Sequence, residues 1–319
     1  VYQFFVRRLL ESLLLLFGVL TLVFFLTRLL PGDATTAFLS PNISPAIVEQ
    51  LKEQFGLNRS LVEQYFQWIS SACVGNFGFS FTRNAGVGEV IGDVFPNTLL
   101  LGGAALVLEI ALGILVAAMF FFFEGRKMAA MLSQAALVVY ALPSFWIGML
   151  LLLVFSYGLG ALPSSHMYSS GSRDWFDLLH HLALPAFTAA IPAAAGFARY
   201  LSGNVQSVLS QDYFLAARSM GLSRRQLFRG YVLPNSVSPM ITLIGIEIGV
   251  LFSGVLVTEY LFSWPGIGRL TVSAIASRDY PLILGCTAVV GATVIIGNLL
   301  ADVANALLDP RIRLGEGNS

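Results

Sequence analysis

The feature that most constrains this chain is a series of apolar runs, each long enough to span a bilayer. Leu9 to Leu30 gives about 22 mostly apolar residues, enough at about 1.5 Å per helical residue to cross a hydrocarbon layer about 30 Å thick. Comparable runs extend from Pro96 to about Phe123, from about Met128 to Phe155 and from about Leu182 to Gly203. Two more follow, from about Asn235 to Val257 and from about Leu282 to Leu308. In hydrocarbon each backbone N–H and C=O must be satisfied within the protein, so runs of this kind are helices. Composition agrees: 56% of the 319 residues are hydrophobic, only 11% are charged and 25 are Phe. With a mean hydropathy of +0.77, these values lie outside the range of soluble domains. The expected fold is all-α: a polytopic membrane protein with six transmembrane helices, two short outer helices and one folded cytoplasmic loop.

The few charges set the orientation. Arg7 and Arg8 place the start of the first helix in the cytoplasm. On a six-span path Arg126, Lys127, Arg218, Arg224, Arg225, Arg229, Arg311 and Arg313 join them there, against Arg173, Arg269 and Arg278 in the short outer loops. Both termini are therefore expected inside. The chain divides into a first transmembrane helix (1–33), an outer helical segment (34–95), a five-helix core (96–308) containing the cytoplasmic loop 210–234, and a cytoplasmic tail (309–319). The apolar run after Arg8 exceeds a signal peptide's core and lacks a small-residue cleavage site, so the first helix is expected to stay. A formal net charge of zero supplies no basic field for nucleic acid and no acidic one for cationic partners. Cys73 and Cys286 lie in unlike surroundings, one polar and one apolar, and indicate neither a disulfide scaffold nor a metal pair.

The outer segment carries two helix starts. Ser44-Pro45 is a cap followed by proline at the first helical position, with Ile47, Val48, Leu51 and Phe55 on one face. Ser60 and Glu63 form a capping box ahead of Tyr65, Trp68 and Ile69, and Gly75-Asn76-Phe77-Gly78 ends that helix. Tyr65 and Trp68 equally suit interfacial anchors. Pro96 is read as opening the second span, Pro143 as kinking the third, and the alanine-built fourth span as buried in the bundle despite Pro185 and Pro192.

Asp212 to Pro234 breaks the apolar pattern. Four arginines, Arg218, Arg224, Arg225 and Arg229, fall within a dozen residues. Each would cost about 2.5 to 3.5 kcal/mol at the centre of a membrane helix, so the stretch lies outside the bilayer. Local signals fold it. Ser223 and Gln226 make a second capping box, and Leu222 and Leu227 are spaced as a hydrophobic staple. Gly221 suits the left-handed turn that ends a preceding helix, roughly Tyr213 to Met220. The apolar residues Phe214, Leu215, Ala217, Leu222, Leu227 and Phe228, ringed by arginine, suggest a docking surface.

Ala216-Ala217, Gly221 and Leu233-Pro234, at this spacing, resemble the loop that permease subunits of bacterial ABC importers insert into their ATPases. The chain departs from that pattern in having Leu215 where glutamate is usual and Tyr231 where isoleucine is usual. The resemblance extends through Leu30-Pro31-Gly32-Asp33, Phe55-Gly56-Leu57 and Phe77-Gly78-Phe79-Ser80. It continues through Glu259 to Arg269, Arg278-Asp279-Tyr280-Pro281, Asn298 to Asp302 and Leu308 to Arg311. Nearly the whole chain thus looks like a permease of the dipeptide, oligopeptide and nickel family. The likeness implies a non-catalytic subunit of the bacterial cytoplasmic membrane, importing peptides or, alternatively, nickel or metal chelates. It implies as partners a second homologous permease subunit, two ABC ATPase subunits that bind ATP and Mg, and a periplasmic or lipid-anchored solute-binding protein. Contact with the ATPase would fall to Leu215, Ala216, Ala217, Arg218, Gly221, Ser223, Arg224, Arg225 and Gln226. No G-x-x-x-x-G-K-S/T loop occurs in the chain itself, so no nucleotide site or other cofactor is expected in it.

Glu109, Arg199, Glu247 and Asp302 fall inside expected spans, and each is a candidate for function. Glu109 shares a four-residue stripe with Ala105, Gly113 and Ala117, where a structural hydrogen bond is expected. Arg199 and Asp302 lie at similar depths and are read as a pair tying the fourth span to the sixth. Glu247, near mid-membrane and opposite the Gly245, Gly249 and Ser253 stripe, is read as lining the path and meeting a cationic group such as a peptide amine. His180 and His181 are adjacent, so they point to different sides of a helix and do not share a metal easily. A secondary transporter would call for an inverted repeat, and an intramembrane protease for a motif such as H-E-x-x-H. Neither is found in the sequence.

Overall fold

The computed structural model describes residues 2–29, 58–237, 240, 243–244 and 255–308. The outer helix expected at Ser44, most of the fifth span, Glu247 and the tail lie outside these residues. Among the described residues, four helices are long and apolar enough to cross a membrane. They are α1 (Tyr2–Leu29), α3 (Val87–Phe122), α6 (Trp175–Leu209) and α11 (Tyr280–Leu308). A fifth crossing is supplied if the bent pair α4 (Lys127–Ala141) and α5 (Ser144–Leu151), the latter continued as a π-helix over Leu152–Gly158, is one span.

Two of the proline expectations are corrected. Pro143 does more than kink its span, because α4 and α5 stand at 104° to one another. The residue before a proline is driven out of the helical region, and Leu142 is extended at φ −80°, ψ 137°, which stops one helix and starts the next. Pro96 does not open α3, which already begins at Val87 and carries the proline inside it. Pro185 and Pro192 likewise sit inside an unbroken α6.

The chain forms two compact units. The first comprises Val1–Thr98 and Pro265–Ile295. In it, α2 (Leu61–Cys73) begins at the predicted capping box, with Ser60 Oγ accepting from the Glu63 N–H and Glu63 Oε2 from the Ser60 N–H. Its Tyr65 is buried against Phe24 of α1 and Leu284 of α11, with Trp68 packed alongside. The Phe24 and Tyr65 ring centroids are 5.3 Å apart, and the Tyr65 hydroxyl lies 2.7 Å from Thr21 Oγ1. Tyr65 is thus a core residue rather than an interfacial anchor, its polar end satisfied within the protein.

A short hairpin, β1 (Phe79–Ser80) and β2 (Ala85–Gly86), follows, with Phe79 opposite Gly86 and Ser80 opposite Ala85. Val87 and Ile91 at the start of α3 pack on Ile267, Leu270 and Ala274 of α10 (Ile267–Ala276) and on Ile283 of α11. The free N-terminal N–H of α10 is met from α3, since Ile267 N–H donates to Thr98 Oγ1 at 2.8 Å. Asn97 Nδ2 donates to the Pro265 carbonyl at 2.9 Å.

The second unit comprises Leu99–Trp264 and Ile296–Ser319. As expected from its alanines, α6 is its buried axis: 56% of its most apolar stretch is buried, against 11% for that of α1. The predicted small-residue stripe is real. A Cβ at Gly113 would stand 2.4 Å from the Phe197 ring, so only glycine admits this approach of α3 to α6. Ala105, Glu109 and Ala117 on the same stripe are all 1% exposed or less. Helix α7 (Asp212–Ser219), helix α8 (Arg224–Leu227), a π-helix over Phe228–Val232 and α9 (Leu233–Val237) follow α6.

Candidate functional site

The arginine-bearing stretch between α6 and α9 is a folded element with its own core. Helix α7 ends at Ser219 with Met220 as its cap, and Gly221 takes φ +78°, the left-handed turn that the sequence pattern called for. Ser223 then caps α8: its hydroxyl accepts from the Gln226 N–H, and Gln226 Oε1 accepts from the Ser223 N–H at 2.9 Å. Two short helices therefore meet at a glycine, as predicted. Pro234 lacks the N–H that would bond the Gly230 carbonyl four residues back, and the turn ahead of it is wound as a π-helix.

Phe214, Ala217, Leu227 and Val232 are buried together with Val205 and Val208 of α6 and Phe121 of α3, and Leu222 and Phe228 pack onto them. Polar and aromatic contacts reinforce this seat. Arg224 Nη1 donates to the Phe122 carbonyl at 2.7 Å, and the Phe228 ring lies 5.4 Å from both Phe121 and Phe122.

The nine residues read as an ATPase-docking set are divided by the structure. Ala217 is 2% exposed and faces inward, as do Phe214 and Leu227, so the apolar patch expected from those side chains is the element's own core. The apolar aliphatic side chains at the surface are Leu215 (50% exposed) and Met220 (74%), with the Tyr213 ring exposed on the same helix as Leu215. Ala216, Arg218, Gly221, Ser223, Arg225 and Gln226 are exposed beside them, and Arg229 with them. Arg224 is exposed as well, but its guanidinium is turned to α3. An apolar pair among solvent-facing guanidinium groups, on a base held by internal packing, suits a protein surface of acidic and apolar character.

Other predicted residues are scattered. Arg199 lies in α6, which runs on to Leu209, and its guanidinium sits 5.6 Å from the centre of the Tyr140 ring of α4, a cation–π distance. Asp302 is half-buried on α11. His180 Nε2 lies 2.8 Å from the Ala161 carbonyl and His181 Nδ1 2.8 Å from that of Asp177, their rings at 88° to each other. They are turned to separate backbone groups.

Sequence reasoning missed a second polar centre, in the first unit. Asp279, fully buried, accepts hydrogen bonds from Ser80 Oγ at 2.6 Å, Thr82 Oγ1 at 2.7 Å and the Thr82 N–H at 3.1 Å. It also caps α11 through the Leu282 N–H at 3.3 Å. Both halves of this contact stand among the family-like stretches, at Phe77 to Ser80 and Arg278 to Pro281, but only the fold joins them.

Helices long and apolar enough to cross a membrane, with an exposed cationic helix pair seated on the ends of two of them, define an α-helical membrane protein. Residues 109–314 match the binding-protein-dependent transport system inner membrane component family, and residues 1–102 match the N-terminal region described for such components. The chain belongs to this family of non-catalytic ABC importer permeases. It is 36% identical to the oligopeptide transport system permease protein AppB of Bacillus subtilis over 313 residues, covering 96% of this chain and 98% of that one. It is 33% identical to the glutathione transport system permease protein GsiC of Escherichia coli (97% and 98% covered). With the di/tripeptide transport system permease protein DppB of Pseudomonas aeruginosa the identity is 31% (98% of each). A solved amino acid ABC transporter with histidines aligns over 69% of this chain and 94% of its own at 15% identity and a TM-score of 0.50, a likeness of fold.

Proposed function

We propose that this chain is one permease subunit of an ATP-driven peptide importer of the bacterial cytoplasmic membrane. The observation that carries the reading is the exposed face of the α7–α8 pair: Leu215 and Met220 flanked by Arg218, Arg225 and Arg229, on an element whose own apolar residues are already used internally. Relatives named for oligopeptides, di/tripeptides and glutathione support peptides as the solute.

In the full assembly the chain crosses the membrane six times with both termini in the cytoplasm, and two outer helices precede the second span. A second permease subunit completes the pathway. Two ATPase subunits bind ATP and Mg and dock on α7–α8, and a solute-binding protein delivers from outside. A cavity of about 460 Å³ lined by Arg83, Glu89, Asp93 and Arg269, charges of both signs, supports a landing place for that delivery protein. On ATP binding the ATPase dimer closes, α7–α8 is carried inward with it, and the helices rotate to open outward. Glu247 lines the path and meets the peptide amine, and Arg199 pairs with Asp302.

The test is co-purification of ATPase subunits with the solubilised permease, followed by uptake of labelled dipeptides, longer peptides and nickel in a strain lacking the system. Restored peptide uptake is expected. Recovery without any ATPase, or uptake of nickel alone, would overturn the reading. Two narrower tests go with it. Glu247→Gln should depress peptide uptake, and the charge swap of Arg199→Asp with Asp302→Arg should assemble better than either single variant.

A further inference from the structure

The cytoplasmic end of α3 is closed by a side chain from another element. A helix leaves its last carbonyls without intrahelical partners, and they carry the negative end of its dipole. Here the carbonyls of Met119, Phe121 and Phe123 are taken by the N–H groups of Phe123, Glu124 and Arg126, in the turn that follows. The Phe122 carbonyl is taken by Arg224, at 2.7 Å, the length of a charge-assisted hydrogen bond.

Arg224 opens the single-turn α8, which is too short for its own dipole to hold the guanidinium. It is well placed for α3, whose C-terminal end attracts it. The capping box at Ser223 and Gln226 fixes the backbone from which it projects. Phe228, in contact with both Phe121 and Phe122, supplies an apolar pad beside the polar bond.

We infer that Arg224 is a positioning residue that clamps the α7–α8 pair to the end of α3, so that movement of the pair reaches α3 directly as well as the α6 helix it follows in sequence. This rests on the reading of α7–α8 as the ATPase dock. It differs from that reading in taking Arg224 out of the docking surface and making it part of the transmission. Arg218, Arg225 and Arg229 remain the outward cations.

Spin labels at Glu124, just past α3, and at Met220, between α7 and α8, in a Cys73→Ser background, measure the clamp by their mutual distance. In the wild-type complex the distance should be narrow and equal in nucleotide-free and ATP-bound states. In Arg224→Ala it should broaden, with ATPase subunits still bound and solute transported per ATP hydrolysed down at least about fivefold. Arg224→Lys should recover part of that ratio, since a point charge can still serve one carbonyl. Loss of the ATPase from Arg224→Ala, a wild-type ratio in that variant, or a wild-type distance that shifts with nucleotide would each overturn the inference. If the wild-type chain binds no ATPase, the function proposed above fails instead. The clamp is then still decided on the permease alone: a sharp distance in wild type and a broad one in Arg224→Ala supports it, and equal widths overturn it.

Discussion

Asp279 and the α7–α8 arginines are polar clusters in a chain only 11% charged, and they use their charge in opposite ways. Asp279 has no exposed surface and is ringed by donors from Ser80, Thr82 and Leu282. A carboxylate taken out of water is tolerable only when such bonds replace its hydration, so this charge closes the chain on itself. Arg218, Arg225 and Arg229 keep their hydration on an element whose packing is complete without them. Charge turned inward specifies a fold, and charge left outward on a rigid base is available to a partner. Arg224 stands between the two cases, exposed yet bonded to the Phe122 carbonyl.

The contrast is broken most directly at Asp279. Asp279→Ala strands the hydroxyls of Ser80 and Thr82 and uncaps α11, at a cost of about 3 to 5 kcal/mol. Thermal unfolding in detergent should fall by about 10 °C, and Asp279→Asn, which keeps an acceptor, should fall less. A variant melting within about 2 °C of wild type would mean that the carboxylate does not hold the hairpin to α11.

Within the α7–α8 element the same contrast can be drawn on one helix. Ala217→Asp drives a carboxylate into the apolar seat of α7 and should cost about 2 to 4 kcal/mol. Hydrogen exchange over 212–232 should rise and the ATPase subunits should be lost. Leu215→Asp, two residues away on the exposed side, should leave exchange unchanged while weakening ATPase binding about tenfold, the equivalent of about 1.4 kcal/mol. Arg225→Ala should behave like Leu215→Asp, with a change in stability within about 0.5 kcal/mol. If Leu215→Asp and Ala217→Asp unfold the element alike, the division into an inner and an outer face is wrong.

How far each region could be read from sequence follows from the range of its contacts. The α7–α8 joint is local: cap, box, staple and glycine all lie within a dozen residues, and the structure matches them at Ser223, Gln226 and Gly221. The capping box at Ser60 and the close-packing stripe around Gly113 were legible for the same reason. What escaped is what only tertiary structure decides. The side chains of Phe214 and Leu215 follow one another, and nothing local says which turns to Val205 and which to solvent. Tyr65 had the composition of an interfacial anchor, and only Phe24 and Leu284 make it core. Arg224 was indistinguishable from Arg225 until the end of α3 arrived beside it. The proline misreadings are of another kind. Pro96, Pro185 and Pro192 lie within continuous helices while Pro143 ends one, and the difference is the extended backbone of Leu142.

The smallest expected effect isolates the joint itself. Gly221 has φ +78°, and a Cβ placed there would meet no heavy atom within 4 Å. Substitution therefore tests backbone conformation alone, with no clash to confuse it. Gly221→Ala should cost about 1 kcal/mol, since an L side chain resists the left-handed region, while Gly221→Asn should cost less because its side chain tolerates that region. Neither change touches Leu215, Arg218 or Arg225, so ATPase binding should stay near wild type. A stiffened or strained joint should instead lower the solute moved per ATP in Gly221→Ala more than in Gly221→Asn, read as uptake against hydrolysis in the same vesicles. Identical ratios in wild type and both variants would mean that the turn only connects α7 to α8, and that force passes through their shared core and the α3 contact instead.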